Sequence, residues 1–462
     1  MWIGWGLALL TMLQLRPWYL AVLSSVCALL AGCGLHRLSA REVEINWNTF
    51  HQEIDGFGAS ATGYVDGFDV HLAEQFFSAE KGLGLSLLRI RPIAGTEDND
   101  CECVANNVPY HCTLGPSGQL VTGDLQVARL AAAAGLHILG VPWSPPAEMK
   151  SSGKYCAGGS IKGNPETYAK YAAELTSALG VLRDNGVSLD ALSVQNEPDI
   201  ENTGYDTCRW TGQQIHDFVP YLSNALDAAG FGSVKIAAPE QSEWKFDLIG
   251  PSLEDQRVAS RIGLVFGHAY GSDYPSGLPA VGSRHVWQTE AGSSLAFDGS
   301  MGDGLQCARV IHNYMIIGVN AWLYWSLACG KAHFNHGNNM CLTDQRDVLT
   351  KRAYVLGQFA KFVRPGWRRI GVSNSGALLV TAFRSSEGAF AIVAINMSAS
   401  AIADQPFMLN GASSLRRPVT PWVTSSVKSL HEESPVTVGA DGTAFRYTIP
   451  GQSVVTFHGQ ID

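Results

Sequence analysis

The chain has 462 residues, 46% hydrophobic and 16% charged, with 32 Lys and Arg against 41 Asp and Glu for a net charge of −9. That length exceeds one ordinary core and predicts two modules, or one barrel with an accessory domain. An acidic, Trp-rich chain without a basic run excludes nucleic acid and anionic membrane surfaces as natural partners.

The first 33 residues carry a single charge, Arg16, followed by an apolar stretch from Pro17 to Gly32. This reads as an export signal, too short for a membrane span. It closes on Leu30-Ala31-Gly32-Cys33, which resembles the bacterial lipobox, so Cys33 is the expected lipidation site. The mature protein is then exported, secreted or held at the cell envelope, with a lipid anchor as its one membrane contact. Residues 43–50 alternate Val43, Ile45 and Trp47 as a strand that is expected to join a C-terminal module.

From residue 51 to 360, short apolar runs alternate with helical patterns. Eight strands are predicted: Ile54–Ser60, Gly84–Arg91, Leu136–Trp143, Leu189–Asn196, Val234–Pro239, Leu264–Tyr270, His285–Glu290 and Asn320–Trp325. Between them lie amphipathic helices such as Pro165–Asn185, where Tyr168, Tyr171, Ala172, Leu175 and Leu179 recur at spacings of three and four. Eight such repeats predict an α/β fold, a (β/α)8 or TIM barrel. Residues 366–460 change character, with alternating runs at 377–383, 390–396 and 453–457 between Gly, Ser, Asn and Asp turns, and predict an antiparallel side β-sandwich. No linker of low complexity separates the modules, so they are expected to pack together in a monomer.

Export permits disulfides, and eight cysteines follow the signal: Cys101, Cys103, Cys112, Cys156, Cys208, Cys307, Cys329 and Cys341. Their connectivity is open, with Cys329 and Cys341 the expected staple of one loop. None shows the C-x-x-C spacing of a zinc site, and the His333 and His336 pair beside Asn335, Asn338 and Asn339 reads as a polar loop shaping a cleft; no metal or cofactor is expected.

The polar oddities of the chain cluster at strand ends, where barrel enzymes place their reactive groups. The run Val194-Gln195-Asn196-Glu197-Pro198 closes the fourth strand, and Val286-Trp287-Gln288-Thr289-Glu290 closes the seventh. A carboxylate ending a buried strand has no packing role there, and two of them facing each other across a barrel mouth suit cleavage of a glycosidic bond. Arg89, Trp143, His268, Tyr270 and Trp325 also end, or nearly end, predicted strands. One such residue alone would be a capped or salt-bridged strand terminus, and Trp325 or His268 alone a core residue. A set of seven at six of the eight strand ends is not accounted for in that way.

The pattern resembles glycoside hydrolase family 30, retaining β-glycosidases with a (β/α)8 barrel and a side β-sandwich. The resemblance covers nearly the whole mature chain. It rests on Asp55-Gly56-Phe57-Gly58, Leu88-Arg89-Ile90, Pro142-Trp143-Ser144-Pro145-Pro146, Gln195-Asn196-Glu197-Pro198, Gly267-His268-Ala269-Tyr270 and Thr289-Glu290-Ala291, in order at successive strands, with Lys361-Phe362-Val363-Arg364-Pro365-Gly366 at the crossing into the sandwich. The resemblance implies Glu197 as general acid/base and Glu290 as nucleophile, with Arg89 and Tyr270 keeping Glu290 ionised. Asn196 would face the 2-hydroxyl of the sugar, Trp143 and Trp325 would stack on sugar rings, and His268 would contact sugar or position the acid.

The substrate implied is a polysaccharide, foremost xylan cut by an endo-β-1,4-xylanase. A β-1,6-glucanase, a β-1,6-galactanase or an exo-acting β-glycosidase is the alternative, and a non-catalytic carbohydrate-binding barrel a remote one that would not need both glutamates. The branch that reads glucuronic acid carries arginine just after the eighth strand. Here that place reads Trp325-Ser326-Leu327-Ala328-Cys329, with Lys331 the nearest cation.

Overall fold

A computed structural model describes residues 41–61, 68–92, 124–156, 158–202, 205–328, 337–415, 418–439 and 442–461. The chain enters through β1 (Val43–Ile54) and lays down β2 (Gly56–Ser60), β3 (Leu87–Ile90), β4 (His137–Gly140), β5 (Ala191–Ser193), β6 (Lys235–Gln241), β7 (Ile262–His268) and β8 (His285–Glu290). A short excursion, β9 (Ser293–Ala296), precedes β10 (Ala321–Tyr324). Strands β2 to β8 and β10 close into a parallel barrel in the order β10-β2-β3-β4-β5-β6-β7-β8. Each predicted strand is present, and most are shorter than the apolar run that announced them.

The shortening has a cause at β5. Its apolar run continues to Val194, whose amide still donates to Ala237 O at 3.0 Å. Two residues later the Asn196 amide turns to Pro142 O, and Glu197 adopts a left-handed φ of 44° that no ladder accommodates. The strand therefore frays into the segment that carries the chemistry.

The Asp-Gly-Phe-Gly motif is explained by close approach. A Cβ on Gly58 would lie 2.2 Å from Leu87 O, and one on Gly56, held at φ +145°, would lie 2.3 Å from Ser86 Oγ. Only glycine lets β2 sit this close to β3. Asp55, just before, accepts hydrogen bonds from Trp287 Nε1 at 2.5 Å and His285 Nδ1 at 2.7 Å, fastening the N-terminal end of the barrel.

Leu139, Val141, Ala191, Leu264, Phe266, Trp287, Ala321 and Leu323 belong to the apolar cluster inside the barrel, so it is a packed core and not a pore. Outside, the Pro165–Asp184 helix starts on Asn164, whose side chain accepts from the Thr167 amide, with proline in its first turn. Its buried stripe is Tyr168, Tyr171, Ala172, Leu175 and Leu179, the set its spacing predicts.

After β11 (Asn338–Asn339), which pairs with β9, the chain forms β12 (Trp367–Ser373), β13 (Leu379–Arg384), β14 (Ala389–Asn396), β15 (Ile402–Asn410), β16 (Thr420–Thr424), β17 (His431–Glu432), β18 (Ala444–Ile449) and β19 (Ser453–Gln460). With β1 they make a nine-stranded sheet in the order β17-β16-β19-β14-β13-β12-β1-β15-β18. All of its pairs are antiparallel except β1 with β15. The exception to the predicted antiparallel pattern arises because β1 arrives from the far end of the chain and not through a hairpin.

The two modules share one core. Phe383, Ala391, Val393, Ile395 and Val454 of the sheet belong to the apolar cluster that also fills the space between barrel and helices. Within it, the Gln358 side chain of the Lys351–Ala360 helix donates to Thr424 Oγ1 at 2.8 Å, and the Gln358 backbone carbonyl accepts from Thr456 Oγ1 at 2.7 Å. At the crossing, Lys361 Nζ donates to Ala79 O at 2.6 Å and Glu80 O at 2.8 Å, and Arg364 Nη1 to Gly84 O. The Lys361-to-Gly366 run is thus fastened to the barrel where the chain crosses into the sheet.

Cys33, Cys101, Cys103, Cys112, Cys329, Lys331, His333 and His336 lie outside the described residues. Cys341 is disulfide-bonded, and Cys156, Cys208 and Cys307 are free. Among the described residues no helix is long and apolar enough to cross a membrane.

Candidate active site

The eight strand-end residues named from the sequence come together at the C-terminal mouth of the barrel. Trp143, Asn196, Glu197, Tyr270, Glu290 and Trp325 line a cavity of about 170 Å³, joined by Tyr205 and Met340. A larger cavity, about 380 Å³, sits at the opposite end among Asp55, His137, Asp190 and Lys235. It lies where strands begin, which in such barrels is the face that serves stability.

Glu290 is the last residue of β8 and is 4% exposed; Glu197 is 7% exposed. One carboxylate oxygen of each, together with a ring nitrogen of His268, lies within 4.8 Å of the others. That spacing would also admit a metal ion. The Arg89 Nη1 cation 2.8 Å from Glu290 Oε2 makes the trio a poor one for a second positive charge.

Arg89, fully buried on β3, organises the floor. Its Nη1 pairs with Glu290, its Nη2 donates to Asn196 Oδ1 and its Nε donates to Glu240 Oε1 at 3.2 Å. Because guanidinium only donates, the Asn196 atom facing it is the carbonyl oxygen, which leaves the Asn196 amide NH2 as a donor for a ligand. Tyr270 donates its hydroxyl to Glu290 Oε1 at 2.9 Å, and Tyr205 donates to Glu197 Oε2 at 3.0 Å. His268, at the end of β7, sits 3.2 Å from Glu197 Oε1 through Nδ1 and 3.4 Å from Glu240 Oε1 through Nε2.

Trp143 and Trp325 stack on each other, centroids 5.3 Å apart and planes 23° apart, and are 3% and 4% exposed. Arg89 lies 5.8 Å from the Trp325 ring and Arg91 lies 5.4 Å from the Trp143 ring. Both tryptophans belong to the barrel core and also line the cavity, so packing and ligand contact are compatible roles for Trp325.

Charge settles unevenly here. Burial opposes charge on His268, but Glu290, Glu197 and Glu240 together outweigh it and push the imidazole up to about 10, so it is a cation at neutral pH. Burial raises the Glu290 carboxyl above its ordinary value of 4.5, with help from Glu197, and His268, Arg89 and the Tyr270 hydrogen bond only partly offset this. Arg89 and Tyr270 thus sit where the sequence puts them and favour the ionised form, yet desolvation prevails. Burial likewise works against charge on Glu240, but Arg89 and His268 reverse it and hold Glu240 low.

Two members of this set escape the sequence reading. Glu240 is the last residue but one of β6, near a strand end as Glu197 and Glu290 are, but Pro239 reads as a strand stop and hides the residue after it. Tyr205 lies in an irregular loop, where no periodicity marks it.

Fold and site together define a glycoside hydrolase of the barrel type. The chain belongs to glycoside hydrolase family 30: residues 78–294 match the model described as O-Glycosyl hydrolase family 30, and residues 366–457 match the Glycosyl hydrolase family 30 beta sandwich domain. It is similar to Glucuronoxylanase XynC of Bacillus subtilis (strain 168), 27% identical over 434 residues, covering 91% of this chain and 92% of that protein. Endo-1,6-beta-D-glucanase BGN16.3 of Trichoderma harzianum is 24% identical over 390 residues, covering 74% and 76%. Among solved structures, the family 30 subfamily 8 xylanase Xyn30A from Clostridium acetobutylicum aligns with a TM-score of 0.74 at 30% identity over 91% of this chain and 99% of that one.

Proposed function

We propose that this glycosidase is an endo-β-1,4-xylanase that works by double displacement through Glu290 and Glu197. The observation that carries the mechanism is the approach of the two carboxyls to within 4.8 Å at the barrel mouth. Retaining glycosidases need roughly 5 to 5.5 Å between them, and inverting enzymes need room for a water between carboxyls roughly 6.5 to 9.5 Å apart. Ionised Glu290 attacks the anomeric carbon while the Glu197 carboxyl gives its proton to the glycosidic oxygen, and the aglycone leaves. Glu197, now a carboxylate, takes a proton from water as that water attacks the same carbon and frees Glu290. The Asn196 amide donates to the sugar 2-hydroxyl, a bond that strengthens as positive charge develops at the ring.

Xylan as substrate rests on the likeness to Xyn30A and XynC. Uronate recognition has no support from residues 326–328, since Ser326, Leu327 and Ala328 are buried and carry no cation. The absence of an arginine there, with the BGN16.3 relative, favours β-1,6-glucan as the second reading. Xylan, glucuronoxylan, β-1,6-glucan and β-1,6-galactan offered separately, with products sized by chromatography, decide between them. Release of xylo-oligosaccharides of mixed length from both xylans is expected, with the first-formed anomer by NMR keeping the β configuration. Cleavage of β-1,6-glucan alone would replace the xylan reading, and an inverted first product would remove the mechanism. Glu290→Gln is expected to fold and to lose turnover by about 10⁴-fold or more.

We also propose export with Cys33 as a lipid-bearing residue, supported by the Leu30-Ala31-Gly32-Cys33 sequence. Unchanged membrane partitioning of Cys33→Ala would rule out the anchor.

A further inference from the structure

Glu240 is a third carboxylate that the double displacement does not use. It is wholly buried and does not line the cavity, so it cannot touch a sugar. Yet the fold commits strained backbone to it: Glu240 has φ 61°, and Glu197, whose amide donates to Glu240 O at 3.0 Å, has φ 44°. A left-handed non-glycine residue is disfavoured and persists where the surroundings demand it. Here two such residues stand back to back at the ends of neighbouring strands.

Three donors converge on the one oxygen Oε1: Arg89 Nε at 3.2 Å, His268 Nε2 at 3.4 Å and Thr289 Oγ1 at 3.0 Å. Arg89 is the ion partner of Glu290 and His268 is the neighbour of Glu197. One buried oxygen therefore ties together the groups that flank both catalytic carboxyls.

We propose that Glu240 is a positioning residue whose fixed negative charge keeps His268 an imidazolium and holds the site electrically neutral in both half-reactions. The charged and titratable groups facing Glu240 are Arg89 and His268, and these two in turn face Glu290, Glu197 and Tyr270. Before attack, Glu240 and Glu290 carry two negative charges against two positive ones on Arg89 and His268, and Glu197 holds its proton. After attack, Glu290 is an uncharged ester and Glu197, having given its proton to the leaving oxygen, is the carboxylate. Negative charge has moved from Glu290 to Glu197, and Glu240 with its two cations has stayed as it was. Without Glu240 both states carry a surplus positive charge, which favours loss of the proton from His268. The imidazolium beside the acid is then lost at a lower pH.

The inference rests on the double-displacement reading, so its test has one arm that needs turnover and one that does not. Glu240→Gln keeps the shape and removes the charge. On xylohexaose, which needs the acid, the alkaline limb of kcat/KM is expected to move down by about 1 to 3 pH units, the range an opposite charge at this distance imposes. On 2,4-dinitrophenyl β-xylobioside, whose leaving group needs no proton, the alkaline limb is expected to stay. A uniform loss of rate on both substrates with unmoved limbs would make Glu240 structural only and overturn the proposal. In the wild-type enzyme, ¹⁵N-histidine NMR is expected to show His268 still protonated at pH 8, and titration near 6.5 would overturn it whatever the variant does. Inactivity of wild type on both xylosides with a correctly charged His268 would instead count against the xylan reading.

Discussion

At the scale of single residues, the site is a charge problem solved by burial and pairing. Glu290 is a buried carboxyl raised above 4.5 by desolvation, and as the proposed nucleophile it must be ionised to attack. Its activity is therefore present above its pKa and lost as pH falls through it, so the acid limb of kcat/KM is expected above the ordinary carboxylate value. Tyr270→Phe removes a hydrogen bond that favours the ionised form and should push that limb higher still, by about half a unit to one unit. A pH–rate profile on an activated aryl xyloside checks it, and a limb moving downward would contradict the assignment. The aligned strand ends made Glu197, Glu290, Arg89, His268 and Tyr270 legible, because a polar residue there has no packing reason to exist. Glu240 was not legible, since its meaning lies in three donors meeting on one oxygen from β3, β7 and β8, and such convergence leaves no trace along a chain.

At the scale of elements, apolar runs place all eight barrel strands but not their ends. A run such as Leu189 to Val194 marks burial, whereas the ladder stops where backbone turns, and the left-handed Glu197 is set by tertiary contacts with β6. Glycine motifs read as family marks acquire a mechanical cause. Gly58→Ala would force a methyl to within 2.2 Å of Leu87 O and wedge β2 from β3. The expected cost is about 2 to 3 kcal/mol, read as a lower denaturant midpoint with an unchanged slope. An unshifted midpoint would mean that the strands part freely, against the geometry seen. The same pairing aligns Ser60 with Arg89, so a residual loss of activity in the folded variant is expected as well.

At the scale of the whole molecule, the barrel and the sheet are not separable beads. β1 is an interior strand of the sheet, between β12 and β15, and one residue later the chain becomes the first barrel strand. Val43, Ile45 and Trp47 are buried in the sheet core, a contribution on the order of 5 kcal/mol. Residues 366–461 expressed alone are therefore expected to lack cooperative folding, and adding a peptide spanning residues 41–54 should restore it. A sharp thermal transition of the isolated segment would show the module to be autonomous. The intact chain is expected to unfold in a single transition, because Phe383, Val393 and Val454 share a core with the barrel helices.

The position of β1 also bears on the order of assembly. Ile45 pairs with Val372 and Leu409, so β1 finds its neighbours only after more than 300 further residues have been made. Closing such a loop is slow compared with forming a helix or a hairpin. During that interval an apolar strand with two open edges must be shielded from other chains. Capture of β1 is thus expected to wait for the synthesis of β12 and β15.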